Sequence, residues 1–130
     1  MHHRRTIAVG LTIGLTLLGS AASAGFGFPK AEGLDVNDVL ADPSGYTSEI
    51  TVRGGVTIVE TEQKLFDIVD YREYRSCRTV DCGRKWISVL FEKDPPKKGD
   101  VVEVTGVIEK NDVGKGGYVL RATKVRVTGR

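Results

Sequence analysis

Hydrophobic and polar residues alternate along most of the chain after residue 49. Hydrophobic residues recur with a period of two between Ile50 and Ile58, which is typical of a strand with one buried face. The pair Gly54-Gly55 interrupts this run and predicts a bulge or a sharp bend. Comparable runs follow, and the last one changes register near Lys124. Together they predict five strands, over residues 50–59, 65–69, 85–91, 101–110 and 118–127.

The segments around these strands have different patterns. Asp35 is in a position to cap a short helix that continues to Leu40, and residues 42–45 then stop it. Residues 92–100 contain two prolines and several charges, so we expect a turn there rather than a helix or strand. The whole pattern predicts one small all-β domain with a short N-terminal helix.

Residues 1–24 have the organisation of a secretory signal peptide. Basic residues precede the apolar run 6–18, and small residues that end at Ala24 form a cleavage site. We therefore expect a loose arm over residues 25–33, a folded domain over residues 34–130, and a periplasmic or secreted location. An uncleaved anchor is the alternative, although the run is shorter than the ~20 residues that a bilayer requires. We expect no stable membrane insertion after cleavage.

Removal of the leader changes the net charge. The whole chain has 19 basic and 17 acidic residues, and the loss of Arg4 and Arg5 leaves 17 of each. Proteins that bind polyanions through counterion release usually carry a basic surplus. Net charge therefore gives no support to nucleic-acid binding, and only a local basic patch would favour it.

Four segments of the strand region resemble the oligonucleotide/oligosaccharide-binding (OB) fold. They are ITVRGGV from Ile50, LFDIVD from Leu65, GDVVEVTGV from Gly99 and LRATKV from Leu120. The chain is similar in particular to compact bacterial OB domains related to the tRNA-anticodon-binding type, including exported ones. The resemblance covers about residues 46–128. It implies a five-stranded Greek-key barrel, without the helix that many OB domains carry between their third and fourth strands.

An insertion between the second and third strands carries the only cysteines, Cys77 and Cys82. In an exported domain such a pair is typical of a disulfide that orders a loop. Two alternatives remain open. Nearby arginines would activate a reactive thiol pair, or Asp70, Asp81 or a second subunit would complete a metal site.

The same insertion interleaves aromatic and basic side chains. OB domains commonly stack ligands on aromatic residues and contact anionic groups with arginine, so the resemblance implies a binding face here. Arg78 and Lys85 lie within this cluster. Tyr71 and Trp86 would instead pack the mouth of the barrel if the arginines were only solvated. The residues predicted to bind a ligand are Tyr71, Arg72, Tyr74, Arg75, Arg84 and Trp86.

Catalysis has little basis in the sequence. Beyond residue 24 the chain has no His, which excludes Ser-His and Cys-His nucleophiles. Asp67, Asp70 and Glu73 show no partner for acid–base chemistry, and the two aspartates are interpreted as strand-end and turn acids. Residues 114–117 lack the context of a phosphate loop and predict a hairpin turn.

These observations predict an exported, non-enzymatic binding protein for a small ligand or a protein partner, with no cofactor. One alternative is a thiol-dependent metal-binding or redox accessory protein that uses Cys77 and Cys82. The other is a single-stranded nucleic-acid binder, which the neutral net charge does not favour.

Overall fold

The computed structural model describes residues 33–130, which form a mostly β structure with six strands in one sheet. The predicted signal peptide, and the predicted arm up to residue 32, lie outside the described residues. No helix within residues 33–130 has the length and apolar character needed to cross a membrane. In chain order the elements are β1 (Leu34–Asp35), α1 (Val36–Ala41), β2 (Ile50–Glu60), β3 (Leu65–Asp70), α2 (Tyr71–Cys77), β4 (Trp86–Leu90), β5 (Val101–Lys110) and β6 (Tyr118–Gly129).

The sheet has the strand order β1-β2-β3-β4-β6-β5, with an additional pairing between β2 and β5. The short β1 pairs parallel with β2, and β4 pairs parallel with β6, whereas the other pairs are antiparallel. All five predicted strands are present. The segment between β4 and β5 contains no helix, as its prolines predicted.

Strand β2 pairs with two neighbours at its glycines. Gly54 lies opposite Asp70 of β3 and also opposite Val102 of β5. A Cβ atom on Gly54 would lie 2.5 Å from the carbonyl oxygen of Val69, so this close approach requires glycine. The register shift of β2 falls slightly later than predicted, between Val56 and Ile58.

A second register shift lies in the pairing of β5 with β6. Thr105 faces Lys124 and the next residue, Gly106, faces Ala122, which leaves Thr123 as the extra residue. The predicted change of register near Lys124 is therefore confirmed. At Gly106 a Cβ atom would lie 2.1 Å from the carbonyl oxygen of Arg121, so the two strands approach too closely there for a side chain.

The core is made of aliphatic residues from the strands, one phenylalanine and two valines of α1. Val36 and Val39 are fully buried, so α1 contributes its apolar face to the same core as the sheet. Asp35 stands at the N-cap position of α1, but its side chain makes no capping hydrogen bond. Its carboxylate instead contacts Arg53 at 3.0 Å and Arg72 at 3.3 Å. The predicted capping role of Asp35 is therefore wrong, and α1 is held by the packing of Val36 and Val39 and by a hydrogen bond from the Asn37 N–H to the Asp70 carboxylate.

Helix α2 is the main element that the strand pattern does not predict. It begins directly after β3, where the Asp70 side chain accepts a hydrogen bond from the backbone N–H of Arg72 at 2.9 Å. The sequence signal is Asp70 followed three residues later by Glu73, which is typical of a helix N-terminus. The insertion that carries the cysteines is thus partly helical, and its helix packs against β2 and β3.

Candidate ligand-binding groove

A groove of about 860 Å³ lies between α2 and the ends of β5 and β6. It contains three of the six residues predicted to bind a ligand, Tyr71, Tyr74 and Arg75. We call it the arginine groove, because four arginines and one acidic residue line it. Its lining residues are Arg53, Tyr71, Tyr74, Arg75, Arg78, Val101, Glu103, Thr128, Gly129 and Arg130.

The N-terminal end of α2 is fixed by Asp70, whose side chain is fully buried. Its carboxylate accepts hydrogen bonds from the backbone N–H of Asn37 at 2.9 Å and from the Arg72 guanidinium at 3.1 and 3.2 Å. Burial alone would raise the pKa of Asp70, but these bonds outweigh it and lower the pKa below its usual value of 3.8. The same pairing raises the pKa of Arg72.

The C-terminal end of α2 is fixed by a disulfide between Cys77 and Cys82, whose Cα atoms are 6.3 Å apart. The predicted disulfide is therefore confirmed. Arg78 follows the helix with a φ of 60°, and its backbone N–H donates to the carbonyl of Tyr74 at 2.6 Å. Val80, inside the disulfide loop, is buried beside Gly55 of β2. Arg78 is thus held to α2 by its backbone, and the loop after it is packed against the sheet through Val80.

Aromatic rings form the floor of the arginine groove. The ring centroids of Tyr71 and Tyr74 are 6.5 Å apart, with their planes inclined by 32°. Both tyrosines are partly exposed, and the Arg53 guanidinium carbon lies 4.4 Å from the centroid of the Tyr71 ring. Tyr74 packs over Gly55, where a Cβ atom would lie only 3.3 Å from the ring. Glycine therefore allows the ring to lie close to β2.

The charges of the groove are unevenly compensated. Arg53 is bound to Asp35, and Arg130 lies 3.6 Å from Asp100. Arg75 and Arg78 are exposed, and neither forms an ion pair within residues 33–130. Glu103, the only acid in the lining among residues 33–130, accepts a hydrogen bond from Arg126. The groove therefore presents a local surplus of positive charge, although the predicted mature chain is neutral.

The other three predicted residues lie elsewhere. Arg72 is engaged by carboxylates from three elements. The side chain of Arg84 is exposed, while its backbone N–H donates to Glu73 at 3.3 Å. Trp86 stands on β4, where its ring faces the ammonium of Lys115 rather than the groove.

Sequence reasoning missed two arginines that line the groove. Arg53 lies in the middle of β2 and Arg130 is the last residue, so only the pairing of β2 with β5 and of β5 with β6 brings them together. No local pattern around either residue distinguishes it from a solvated surface arginine. The arginine beside the disulfide, Arg78, was noticed in the cluster but not assigned to the site.

No protein-family model matches the chain, and no curated protein matches it. Within the part of the chain that the structure describes, no three His, Cys, Asp or Glu side chains are grouped so as to hold a metal ion.

Proposed function

We propose that this protein is an exported, non-enzymatic binding protein that holds a small anionic ligand in the arginine groove. Export is supported by the charged start, the apolar run and the cleavage pattern of residues 1–24. The disulfide between Cys77 and Cys82 agrees with an oxidising compartment.

We further propose that the sheet closes into an OB-type barrel. The pairings run from β2 to β3, β4, β6 and β5, and from β5 back to β2. A continuous circuit of this kind supports a closed barrel, which removes exposed strand edges. The arginine groove would then lie outside the barrel wall, between the inserted helix α2 and the strand ends of β5 and β6.

The observation that carries the ligand proposal is the pair of uncompensated arginines beside two tyrosine rings. Guanidinium groups bind carboxylates and phosphates with two parallel hydrogen bonds, and an anion between Arg75 and Arg78 would satisfy both. The tyrosine rings supply apolar area for the rest of the ligand. The volume of about 860 Å³ is within the range of small-molecule sites, which favours a small ligand over a protein partner.

Isothermal titration calorimetry with two probes, pyrophosphate and citrate, tests this proposal. We expect at least one of them to bind the wild type, and the double variant Arg75→Gln/Arg78→Gln to lose about tenfold or more in affinity. Arg84→Gln is the matched control, because it removes a nearby exposed arginine that does not line the groove. Equal binding by the wild type and the double variant would contradict the proposal.

Single-stranded nucleic acid is the second candidate, because the groove combines arginines with two neighbouring tyrosine rings on which bases could stack. An oligothymidylate distinguishes it from a small anion. If the oligonucleotide binds more tightly than both small probes, and its affinity falls steeply with added salt, the nucleic-acid function replaces the small-ligand function.

A further inference from the structure

A buried carboxylate on the opposite part of the sheet has no role in the arginine groove. Asp67 lies in the middle of β3 and is 3% exposed, so it is not the strand-end acid that its sequence suggested. Its neighbours along the strand, Phe66 and Ile68, belong to the core. A carboxylate at such a position is unfavourable unless polar or charged groups compensate it.

Two groups compensate Asp67. The hydroxyl of Ser88, directly opposite on β4, donates to the carboxylate at 2.7 Å. The ammonium of Lys115 lies 3.2 Å from the other carboxylate oxygen and 4.5 Å from the centroid of the Trp86 ring. A carboxylate and an aromatic face therefore meet at one ammonium group, which is a favourable arrangement for a cation. We call these three residues, Asp67, Trp86 and Ser88, the amine pocket.

Lys115 enters the amine pocket from a glycine-rich turn between β5 and β6. The turn is closed by its own backbone, with Gly117 N–H donating to Gly114 and Asn111 N–H donating to Gly117. The backbone of the turn also contacts the pocket, because the Lys115 N–H donates a 3.4 Å hydrogen bond to the Ser88 hydroxyl. A Cβ atom on Gly116 or Gly117 would meet nothing within 4 Å, so the tip of the turn stands clear of the strands.

The two partners of this ion pair differ in exposure. The side chain of Asp67 is 4% exposed, whereas that of Lys115 is 48% exposed. Lys115 therefore reaches a nearly buried carboxylate from the surface of the protein. An external alkylammonium could replace Lys115 if that side chain moved aside, and it would find the same carboxylate and ring.

We propose that the amine pocket is a second binding site, specific for a primary alkylammonium ligand, and that Lys115 is an internal occupant which an external amine displaces. The pocket fits an ammonium because its present occupant is one, held by the Asp67 carboxylate and the face of the Trp86 ring, the two contacts that a free amine would make. Lys115 competes with the ligand as a tethered group, so its removal increases the fraction of pockets open to the ligand and raises the apparent affinity.

Trp86 is the only tryptophan of the chain, so its fluorescence reports on the pocket directly. The experiment titrates propylammonium chloride into the wild type and into Lys115→Met, with sodium chloride at equal ionic strength as the reference. We expect a saturable change in Trp86 emission in both proteins, with an apparent affinity about tenfold tighter in Lys115→Met. Propanol, which has the same stem without the charge, should produce no saturable change.

Two further variants make the test specific. Lys110→Met removes an exposed lysine at the end of β5 and should respond as the wild type does. Asp67→Asn in the Lys115→Met background should abolish the response, and far-UV circular dichroism checks that this variant is folded.

The proposal is overturned if neither the wild type nor Lys115→Met responds beyond the sodium chloride reference, or if the folded Asp67→Asn variant retains the response. Arg75→Gln/Arg78→Gln should leave the response unchanged, which separates this site from the arginine groove.

Discussion

The two ends of α2 carry arginines in opposite surroundings. At the N-terminal end, the Arg72 guanidinium contacts the carboxylates of Asp35, Asp38 and Asp70, which lie on three different elements. Near the C-terminal end, Arg75 and Arg78 are exposed and have no acidic partner within residues 33–130. About one helical turn separates an arginine that joins parts of the fold from arginines that are available to a ligand.

The different surroundings of these arginines depend on whether a buried carboxylate lies beside the guanidinium group, not on the arginine side chain itself. Asp70 is fully buried, so its charge must be compensated inside the protein, and Arg72 supplies that compensation. In the part of the chain that the structure describes, no buried carboxylate lines the groove. A helix of seven residues is not stable alone, so each end needs an anchor: the Asp70 network at one end and the disulfide at the other.

Removal of the first anchor should have the largest effect. Asp70→Ala deletes the helix cap and leaves the N–H of Asn37 without its acceptor, while Arg72 keeps its contacts with Asp35 and Asp38. We expect the free energy of unfolding to fall by about 2–4 kcal/mol, because the helix cap and the hydrogen bond to Asn37 are lost together. Urea denaturation followed by circular dichroism measures this loss.

Asp38→Ala is the matched control for Asp70→Ala. It removes a carboxylate that contacts the same guanidinium at 3.2 Å but is 55% exposed. Its expected effect on the free energy of unfolding is about 0.5 kcal/mol or less. Equal effects of the two substitutions would show that burial does not decide the role of Arg72.

Removal of the second anchor, the disulfide, should lower the stability less than Asp70→Ala does. It should also weaken ligand binding in the arginine groove. Replacement of Cys77 and Cys82 by serine should lower the free energy of unfolding by about 2 kcal/mol, because the closed loop is short. The substitution also releases Arg78, so affinity for the groove probe should weaken without disappearing. Reduction of the wild type should reproduce both changes. A loss of binding as complete as in Arg75→Gln/Arg78→Gln would favour the thiol-dependent function instead.

The strands were predictable because their hydrophobic residues recur with a period of two, which depends only on neighbouring positions. The change of register near Lys124 was visible for the same reason, and the structure has it between Thr105 and Gly106 on the partner strand. Helix α2 was not predicted, since its arginines and tyrosines suggested an exposed connection and the Asp70-x-x-Glu73 signal was overlooked.

The arginine groove and the amine pocket each bring together residues that are far apart in the sequence. Arg53 and Arg130 reach the arginine groove from distant strands, whereas Trp86, which is close to Tyr71 in sequence, lies beside Lys115. Local composition predicted Tyr71, Tyr74 and Arg75 as site residues, and these three line the arginine groove. The same composition placed Trp86 in the predicted site as well. A basic and aromatic composition carries no information about the strand pairing that separates β4 from α2.

The pH dependence of stability should give the smallest and most specific comparison of the two ends of α2. The pKa of Asp70 is lowered from its usual value of 3.8, so the unfolded chain binds this proton more readily than the folded protein. The stabilisation from Asp70 is therefore complete above about pH 4 and is lost as the pH falls through the lowered pKa. Urea denaturation of the wild type from about pH 6 to about pH 2 should show this loss, and Asp70→Asn should show a shallower decline. Carbon NMR titration of the Asp70 carboxyl measures the pKa directly, and a value at or above 3.8 would contradict the proposed role of the Arg72 contact.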